Sequence, residues 1–422
     1  MSRFIEDYMI HVDYVVGHDP AIDRDGIGDY AEQVAGALGR RATLGTKIGF
    51  VHSRFKPRNI FQWFGFIRFF SRSNIVHIQY PVEGWGISVM PGVVPVIGRI
   101  FFRSSRLAVT LHEWRSMHLL RRASVYLTIL LADVLIFASE RERKAFLSSR
   151  IAKNTRRIQK RVVIPIAVNV EIPELKTGDI LAARDNALSR LYFEKSKHND
   201  TECTRQIVLG FFGFVYDWKQ PEKMLHIVKE LLKKGCAVNL VMCGDFPEGH
   251  DEKRTNFRRK IAEYGLENNV ELCGYIARAD ELALRLSACD VVVQLFSDGL
   301  SARRGSFWYS AELGTRVLST IPGGEDEFEQ CGTSYEPSSD ERVLLVPADD
   351  DPANIAARIL DWTGPWSPPV RRHIAPTWDE IAAQHEGVYG AIVPMPEGRS
   401  DGLAEGANLP AKTFGPRSTE SR

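Results

Sequence analysis

The sequence predicts an α/β protein made of two parallel-sheet domains, and three observations carry that prediction. The chain has 422 residues, more than one hydrophobic core commonly organises. Short β-branched runs alternate with helix-length segments in two separate series, 1–170 and 207–370. Between them, 171–206 is polar, lacks a clear period and carries the charged run Glu194-Lys-Ser-Lys-His-Asn-Asp200, which places a linker there.

The first series opens with a strand, Ile10–Val16. A loop leads to Asp25-Gly-Ile-Gly-Asp-Tyr30, and Ala31–Leu38 reads as a helix closed by Gly39. Gly26 and Gly28 form a turn in which backbone can approach a ligand closely. They do not complete G-x-G-x-x-G, so a plain tight turn fits at least as well as a dinucleotide site. Ala42–Val51 is the next strand. Phe55–Ser71 is dense in aromatics, with Lys56, Arg58 and Arg68 among them. It reads either as a helix lying on an anionic membrane or, in preference, as a core helix with basic ends. Strands at Asn74–Tyr80, Leu107–Leu111, Ala132–Ser139 and Arg161–Pro165 complete the alternation. A parallel sheet binds ligands beyond the carboxyl ends of its strands, and Gly26, Tyr80 and His112 all lie there.

The second series starts at Ile207–Phe212 and continues through a helix at Pro221–Lys234, the strands Val238–Cys243 and Val270–Cys273, and a helix ending at Ala288. The strand Asp290–Phe296 then runs into Ser297-Asp-Gly-Leu-Ser-Ala-Arg-Arg-Gly-Ser306, with a helix from there to a stop at Gly314. Val317–Thr320 and Val343–Val346 add strands. The loop before the helix matters most. Arg303 and Arg304 stand beside a helix start at Gly305-Ser306, where free N–H groups and partial positive charge suit a diphosphate. A solvated basic turn capped by Ser306 is the equal alternative.

Composition narrows the function. Lys+Arg at 54 against Asp+Glu at 53 removes the case for a bulk nucleic-acid binder. The six cysteines, Cys203, Cys236, Cys243, Cys273, Cys289 and Cys331, form no C-x-x-C pair and read as reduced thiols of a cytoplasmic protein. No His/Asp/Glu cluster with ligand spacing is read, so no metal is expected. No signal peptide is evident at the N-terminus. Ala123–Ala138, the best candidate span, contains Asp133, is too short, and divides into a helix and a strand. The tail, 393–422, is rich in Gly, Ser, Pro and Glu and is expected to be disordered.

Several landmarks in order resemble the retaining, nucleotide-sugar-dependent glycosyltransferases of the GT-B fold, the large family with bacterial mannosyl- and glucosyltransferases. They are Gly26-Ile-Gly28 with Tyr30, Val76-His-Ile-Gln-Tyr-Pro81, Thr110-Leu-His112, Ser139-Glu140, Gly213 with Lys219, Cys243-Gly-Asp245, Ala288-Cys-Asp290 and Leu345-Val-Pro347. The resemblance covers about residues 9–390 and implies two Rossmann-like domains facing each other across a cleft, the first for the acceptor and the second for the donor. It implies that 371–392 holds a helix crossing back to the first domain. It also implies a nucleotide-diphosphate sugar as co-substrate with no other cofactor, and a saccharide or lipid-linked saccharide acceptor. Weak contact with the inner face of the membrane is expected as well. His112 is implied to contact sugar or acceptor near the reacting carbon. Lys219, Arg303 and Arg304 with the Gly305-Ser306 amides would stabilise the leaving diphosphate, and Asp298 either orients an arginine or shapes the turn. Glu325 is a further candidate contact to the donor sugar.

The sequence departs from the family at the paired glutamates, whose slots hold Ser301 and Tyr309, and at Phe214, where an arginine is usual. Glu312 either substitutes for the second glutamate or is simply a helix residue. These departures support one rival reading, a non-catalytic protein that supports a partner glycosyltransferase; an epimerase or phosphorylase of the same fold is a second rival.

Overall fold

The computed structural model describes residues 10–16, 26–41, 47–52, 60–80, 89–115, 117–155, 160–195, 205–247, 249–324, 327–328 and 335–393. The strands of the first series are β1 (His11–Val16), β2 (Lys47–His52), β3 (Ile75–Tyr80), β4 (Arg106–Leu111), β5 (Val134–Phe137) and β6 (Lys160–Val163). They pair in the order β2-β1-β3-β4-β5-β6, every ladder parallel. Parallel strands need covered faces, and their sequences are near-continuous apolar runs accordingly. Helices α1 (Gly26–Arg41), α2 (Ile60–Arg72), α3 (Met90–Phe101), α4 (Leu119–Leu131), α5 (Glu140–Leu147) and α6 (Arg150–Thr155) supply the cover. One face packs Phe70, Val94, Trp114, Val125 and Phe146, from α2 to α5, against β3–β5. The other packs α1 through Tyr30, Val34 and Leu38.

After α7 (Thr177–Lys195) the second sheet follows: β7 (Arg205–Phe212), β8 (Cys236–Cys243), β9 (Val270–Gly274), β10 (Val291–Gln294), β11 (Val317–Thr320) and β12 (Val343–Val346), in the parallel order β12-β11-β10-β7-β8-β9. Helices α8 (Pro221–Lys233), α9 (Asp251–Glu263), α10 (Ala279–Ser287), α11 (Gly305–Glu312) and α12 (Pro352–Trp362) clothe it. On α8 the spacing of Met224, Leu225, Val228 and Leu231 puts them on the sheet side, and all are fully buried. Each such side chain contributes about 1.5–3 kcal/mol relative to exposure. The chain then returns: α13 (Trp378–Ile392) lies on α1, with Arg41 Nε donating to Glu386 Oε2 at 3.0 Å and Trp378 Nε1 donating to the Val168 carbonyl at 2.9 Å.

Three elements differ from the sequence expectation. The stretch expected as linker holds α7, and Arg184 from it reaches Ala288 O at 2.7 Å and Asp290 Oδ1 at 3.0 Å, which fastens it to the second sheet. Its apolar residues follow no helical stripe, so no period marked it. Helix α1 begins at Gly26 and runs past Gly39, so Gly26 and Gly28 form its first turn instead of a preceding loop. Helix α3 was hidden by its prolines. Pro91 occupies the tolerated first turn, and Pro95 deprives only the Pro91 carbonyl of a donor. Of the six cysteines, Cys236, Cys243, Cys273 and Cys289 are free thiols, while Cys203 and Cys331 lie outside the described residues. The expected disordered tail falls, from 394 on, outside them too. No helix among the described residues is long and apolar enough to cross a membrane.

Candidate functional site

The second sheet reverses its order between β7 and β10, where segments leaving adjacent strands diverge and a crevice opens. Gly213, just past β7, has φ +104°, which strains any other residue, and a Cβ there would stand 2.6 Å from Lys219 Nζ and displace it. Lys219 closes a short 3-10 turn, Asp217–Lys219, and is buried. Its Nζ donates to the Phe212 carbonyl at 3.2 Å and to Ser306 Oγ at 3.4 Å. Ser306 Oγ donates to Gln294 Oε1 at 3.0 Å, and Gln294 Nε2 donates to the same Phe212 carbonyl at 3.2 Å. Strand β10, the turn after β7 and the first turn of α11 thus meet at one ammonium. Burial, and then the neighbouring Arg304 charge, pull its pKa from 10.5 down to about 7.

Arg304 directly precedes α11. Its Nη2 donates to Asp298 Oδ1 at 2.7 Å, and its guanidinium lies 4.2 Å from the Trp218 ring centre and 4.8 Å from that of Phe296. Arg304 Nε is buried with no hydrogen-bond partner among the described residues. Leaving such a donor unmet costs about 1–3 kcal/mol, so an anion that accepts from it recovers that free energy. A Cβ on Gly305 would meet nothing within 4 Å, so the first turn of α11 faces open space. Lys219, Arg304, Gly305 and Ser306 therefore form one cationic, donor-rich corner.

Arg303 turns the other way. Its Nη1 donates across the cleft to the His112 carbonyl and to Glu113 Oε1, both at 3.3 Å, and stands 3.6 Å from Glu142 Oε1. Asp298 also spans the cleft, with Oδ2 3.5 Å from Arg141 Nη1. The two arginines are thus placed apart: Arg304 with Lys219, Arg303 with carboxylates of the first domain. Gly26 and Gly28 lie at the start of α1, at the carboxyl end of β1. Glu325 lies outside the described residues.

His112, just past β4, is buried and directed by a chain of polar groups. Its Nε2–H donates to Gln79 Oε1 at 2.8 Å, because an amide oxygen only accepts. Gln79 Nε2 donates to His77 Nε2 at 3.3 Å, which leaves His77 Nδ1–H to donate to Tyr389 Oη at 2.7 Å. Thr110 Oγ1 donates to His77 Nε2 at 2.7 Å, and the Tyr389 hydroxyl pairs with that of Tyr14. The chain fixes the His112 tautomer and leaves Nδ1 as an acceptor. Burial, then the Arg303 charge, lowers the His112 pKa to about 3, so the ring is neutral at ordinary pH. Gln79 and His77 stood in the sequence only within the landmark Val76–Pro81, with no role assigned. Their signal was polar side chains at alternate positions of an otherwise apolar strand. Trp218 and Arg141 were missed as well, although each adjoins a quoted motif residue.

The glutamate slots resolve differently. Ser301 and Tyr309 are both buried, and Tyr309 packs among Val208, Val241 and Leu286 on the far side of the sheet, its ring 4.9 Å from that of Phe212. Neither hydroxyl has a partner among the described residues. Glu312 is no substitute: its Oε2 accepts from Ile374 N at 2.9 Å and Ala375 N at 3.1 Å, holding the segment that leads to α13.

Residues 193–299 match the family model described as glycosyl transferases group 1. No curated protein matches the chain. Among solved structures the chain is similar to a glycosyltransferase from Rickettsia africae, with TM-score 0.58, 11% identity, and 92% of this chain and 98% of that one covered. It is similar to sucrose-phosphate synthase from Thermosynechococcus elongatus, with TM-score 0.57, 17% identity and coverage of 91% and 99%. It is also similar to HepE from Anabaena in complex with UDP, with TM-score 0.55, 15% identity and coverage of 92% and 95%. What is shared at these identities is the fold. The architecture is GT-B, two Rossmann-like α/β domains facing each other across a cleft, as the resemblance implied.

Proposed function

We propose that the protein is a retaining glycosyltransferase that moves a hexosyl group from a nucleotide-diphosphate sugar to an acceptor hydroxyl without a metal. The observation that carries this reading is the corner of Lys219, Arg304 and Ser306 at the start of α11, set at the sheet reversal, with the adjoining Arg303 reaching the His112 carbonyl across the cleft. The group 1 match over residues 193–299, and a structural neighbour solved with UDP-glucose, agree with it. The bond from the anomeric carbon to the diphosphate oxygen breaks, and the acceptor oxygen bonds to that carbon on the same face. The acceptor's proton leaves with the diphosphate. The charge growing on the departing oxygen meets Lys219, Arg304 and the α11 amides, and one such donor is typically worth about 10²–10³ in rate. Neutral His112, through Nδ1, accepts a hydrogen bond from a hydroxyl of sugar or acceptor. Polysaccharide or glycoconjugate synthesis at the cytoplasmic face of a bacterial membrane fits the resemblance.

Asp349 and Asp351, which were missed in the sequence, have the Asp-x-Asp spacing used by metal sites, but Asp351 Oδ1 caps α12 by accepting from Ala353 N at 2.7 Å, and Asp350 Oδ2 stands 3.7 Å from Arg358. The charge a divalent ion would bring is supplied instead by Lys219 and Arg304. Turnover is expected to be unchanged by a chelator; loss on chelation with recovery on adding manganese refutes the metal-free reading. A thermal-shift panel of nucleotide sugars names the donor, because binding to the native state raises Tm. Ser301 and Tyr309 favour one second reading, a non-catalytic member supporting a partner glycosyltransferase, and any sugar transfer in the purified protein excludes it.

His112→Ala is expected to lower kcat by at least about tenfold with donor affinity nearly unchanged, since it removes a contact at the reacting centre. Gln79→Leu, which frees the ring, is expected to move kcat in the same direction by less. Rate profiles above about pH 5 should show no inflection from this histidine, its pKa lying near 3. A loss confined to donor affinity assigns His112 to donor anchoring instead.

A further inference from the structure

Helices α2, α3 and α4 form a single layer over one face of the first sheet. They are locked together by close contact. A Cβ on Gly92 would stand 1.8 Å from the Ser124 carbonyl oxygen, and one on Gly98 would stand 2.3 Å from the Phe70 ring. Thr128 Oγ1 donates to Gly92 O at 2.6 Å, tying α4 to α3. The inward side of the layer already fills the core with Phe70, Val94, Val125 and Ile129. Its outward side is apolar too. Phe61 is 89% exposed, Phe64 49%, Ile100 57% and Leu120 75%, and Val93 and Leu127 are exposed as well. Val93 with Ile100, and Leu120 with Leu127, stand seven residues apart, the spacing of one helix face. Soluble monomers rarely leave so broad a run of large side chains in water.

The charges in this layer are one-sided. The three helices contain five arginines and not one Asp or Glu, in a chain whose net charge is only +1. Arg72 and Arg99 pair inward with Asp13 and Asp133. Arg68 on α2 is exposed and stands seven residues from Phe61 and four from Phe64, the spacing of one helix face, and Arg103, just past α3, is exposed as well. An apolar face with a basic rim and no acidic group matches an anionic bilayer, into whose interface the side chains insert while the guanidiniums meet head-group phosphates. We propose that the α2–α4 layer docks this protein on an anionic lipid bilayer. The docking stands independently of sugar transfer. The amino ends of α2–α4 follow the carboxyl ends of β2, β3 and β4, which is the cleft edge, so a docked molecule holds its cleft beside the lipid head groups.

The test is flotation of the full chain with vesicles of phosphatidylcholine, with and without phosphatidylglycerol. Flotation is expected with phosphatidylglycerol only, and it should vanish at about 1 M salt, where the Debye length is about 3 Å. Arg68→Glu/Arg103→Glu should lower partitioning by more than tenfold, since each basic residue near such a surface is worth about fivefold. Phe61→Ser/Leu120→Ser should abolish flotation with Tm and nucleotide binding unchanged. Three outcomes overturn the proposal: no flotation on either vesicle, equal flotation on phosphatidylcholine alone, or flotation that neither double variant alters. Sedimentation showing a dimer that Phe61→Ser/Leu120→Ser dissociates, without lipid binding, assigns the face to a second copy of the chain and equally overturns it.

Discussion

Lys219→Met is expected to produce a protein that is more stable than the wild type and binds nucleoside diphosphate about ten- to a hundredfold more weakly, the worth of a charged hydrogen bond of about 1.5–3 kcal/mol. The stability gain follows from burial. Lys219 is enclosed with Arg304 nearby and no carboxylate among its hydrogen-bond partners, and its pKa falls from 10.5 to about 7. Between those values the unfolded chain holds a proton that the folded chain has released. Wild-type stability therefore rises with pH across that window, and below it the buried ammonium exacts its full penalty. Methionine fills a similar volume without a charge, and the Phe212 carbonyl keeps Gln294 as its donor. The margin of the variant over the wild type should be widest at about pH 6 and shrink towards about pH 10, on the order of 1 kcal/mol or more at the acid end. The binding loss carries the opposite sign because a diphosphate restores the proton. Wild-type diphosphate affinity should fall as pH rises past about 7, while the variant's should be flat there. Denaturation and calorimetric titration across pH read both effects. A variant that is destabilised at neutral pH and retains its diphosphate affinity assigns Lys219 to structure alone.

The two sheets were legible in the sequence because parallel strands covered on both faces must be apolar throughout, and runs such as Val291–Gln294 and Leu107–Leu111 announce themselves. The ends of elements were less so. α3 went unread because it carries two prolines, yet Pro91 sits in the first turn, where no N–H is needed, and Pro95 inside the helix removes only the bond to the Pro91 carbonyl. α7 carries no apolar stripe because it meets the second sheet through Arg184 as much as through its apolar residues. In the site, the gathering of Gly213, Lys219 and Ser306 was implied by resemblance and not by spacing, since 87 residues separate Lys219 from Ser306. What no local pattern held was direction. Arg303 and Arg304 are adjacent, but the residue before a helix and its neighbour point their side chains to different sides of the cleft, so one guanidinium meets Trp218 and the other Glu113. The polar chain from Tyr14 to His112 joins three strands and α13, a contact set that exists only once the chain has crossed back.

That divergence sets the expected result for the paired arginines. Arg304→Ala should weaken binding of nucleoside diphosphate and sugar nucleotide alike by about ten- to a hundredfold, with nucleoside alone nearly unaffected. Arg304→Lys should recover only part of the loss, because an ammonium keeps the charge but neither the fork nor the stacking on Trp218. Arg303→Ala should act otherwise. Its contacts are the His112 carbonyl and the carboxylates of Glu113 and Glu142, so removing it loosens one domain against the other and leaves the Glu142 carboxyl, already raised by burial, without its nearest cation. The cost should appear in kcat more than in diphosphate affinity. Gly305→Asp should be the most damaging of the set. Backbone at Gly305 faces open space, and a carboxylate there places negative charge where the phosphate would meet the α11 amides. Titrations with nucleoside, nucleoside diphosphate and sugar nucleotide on the four variants separate these roles. Equal diphosphate affinity in wild type, Arg304→Ala and Gly305→Asp, with the fold intact, returns the loop before α11 to a solvated basic turn and removes the diphosphate assignment.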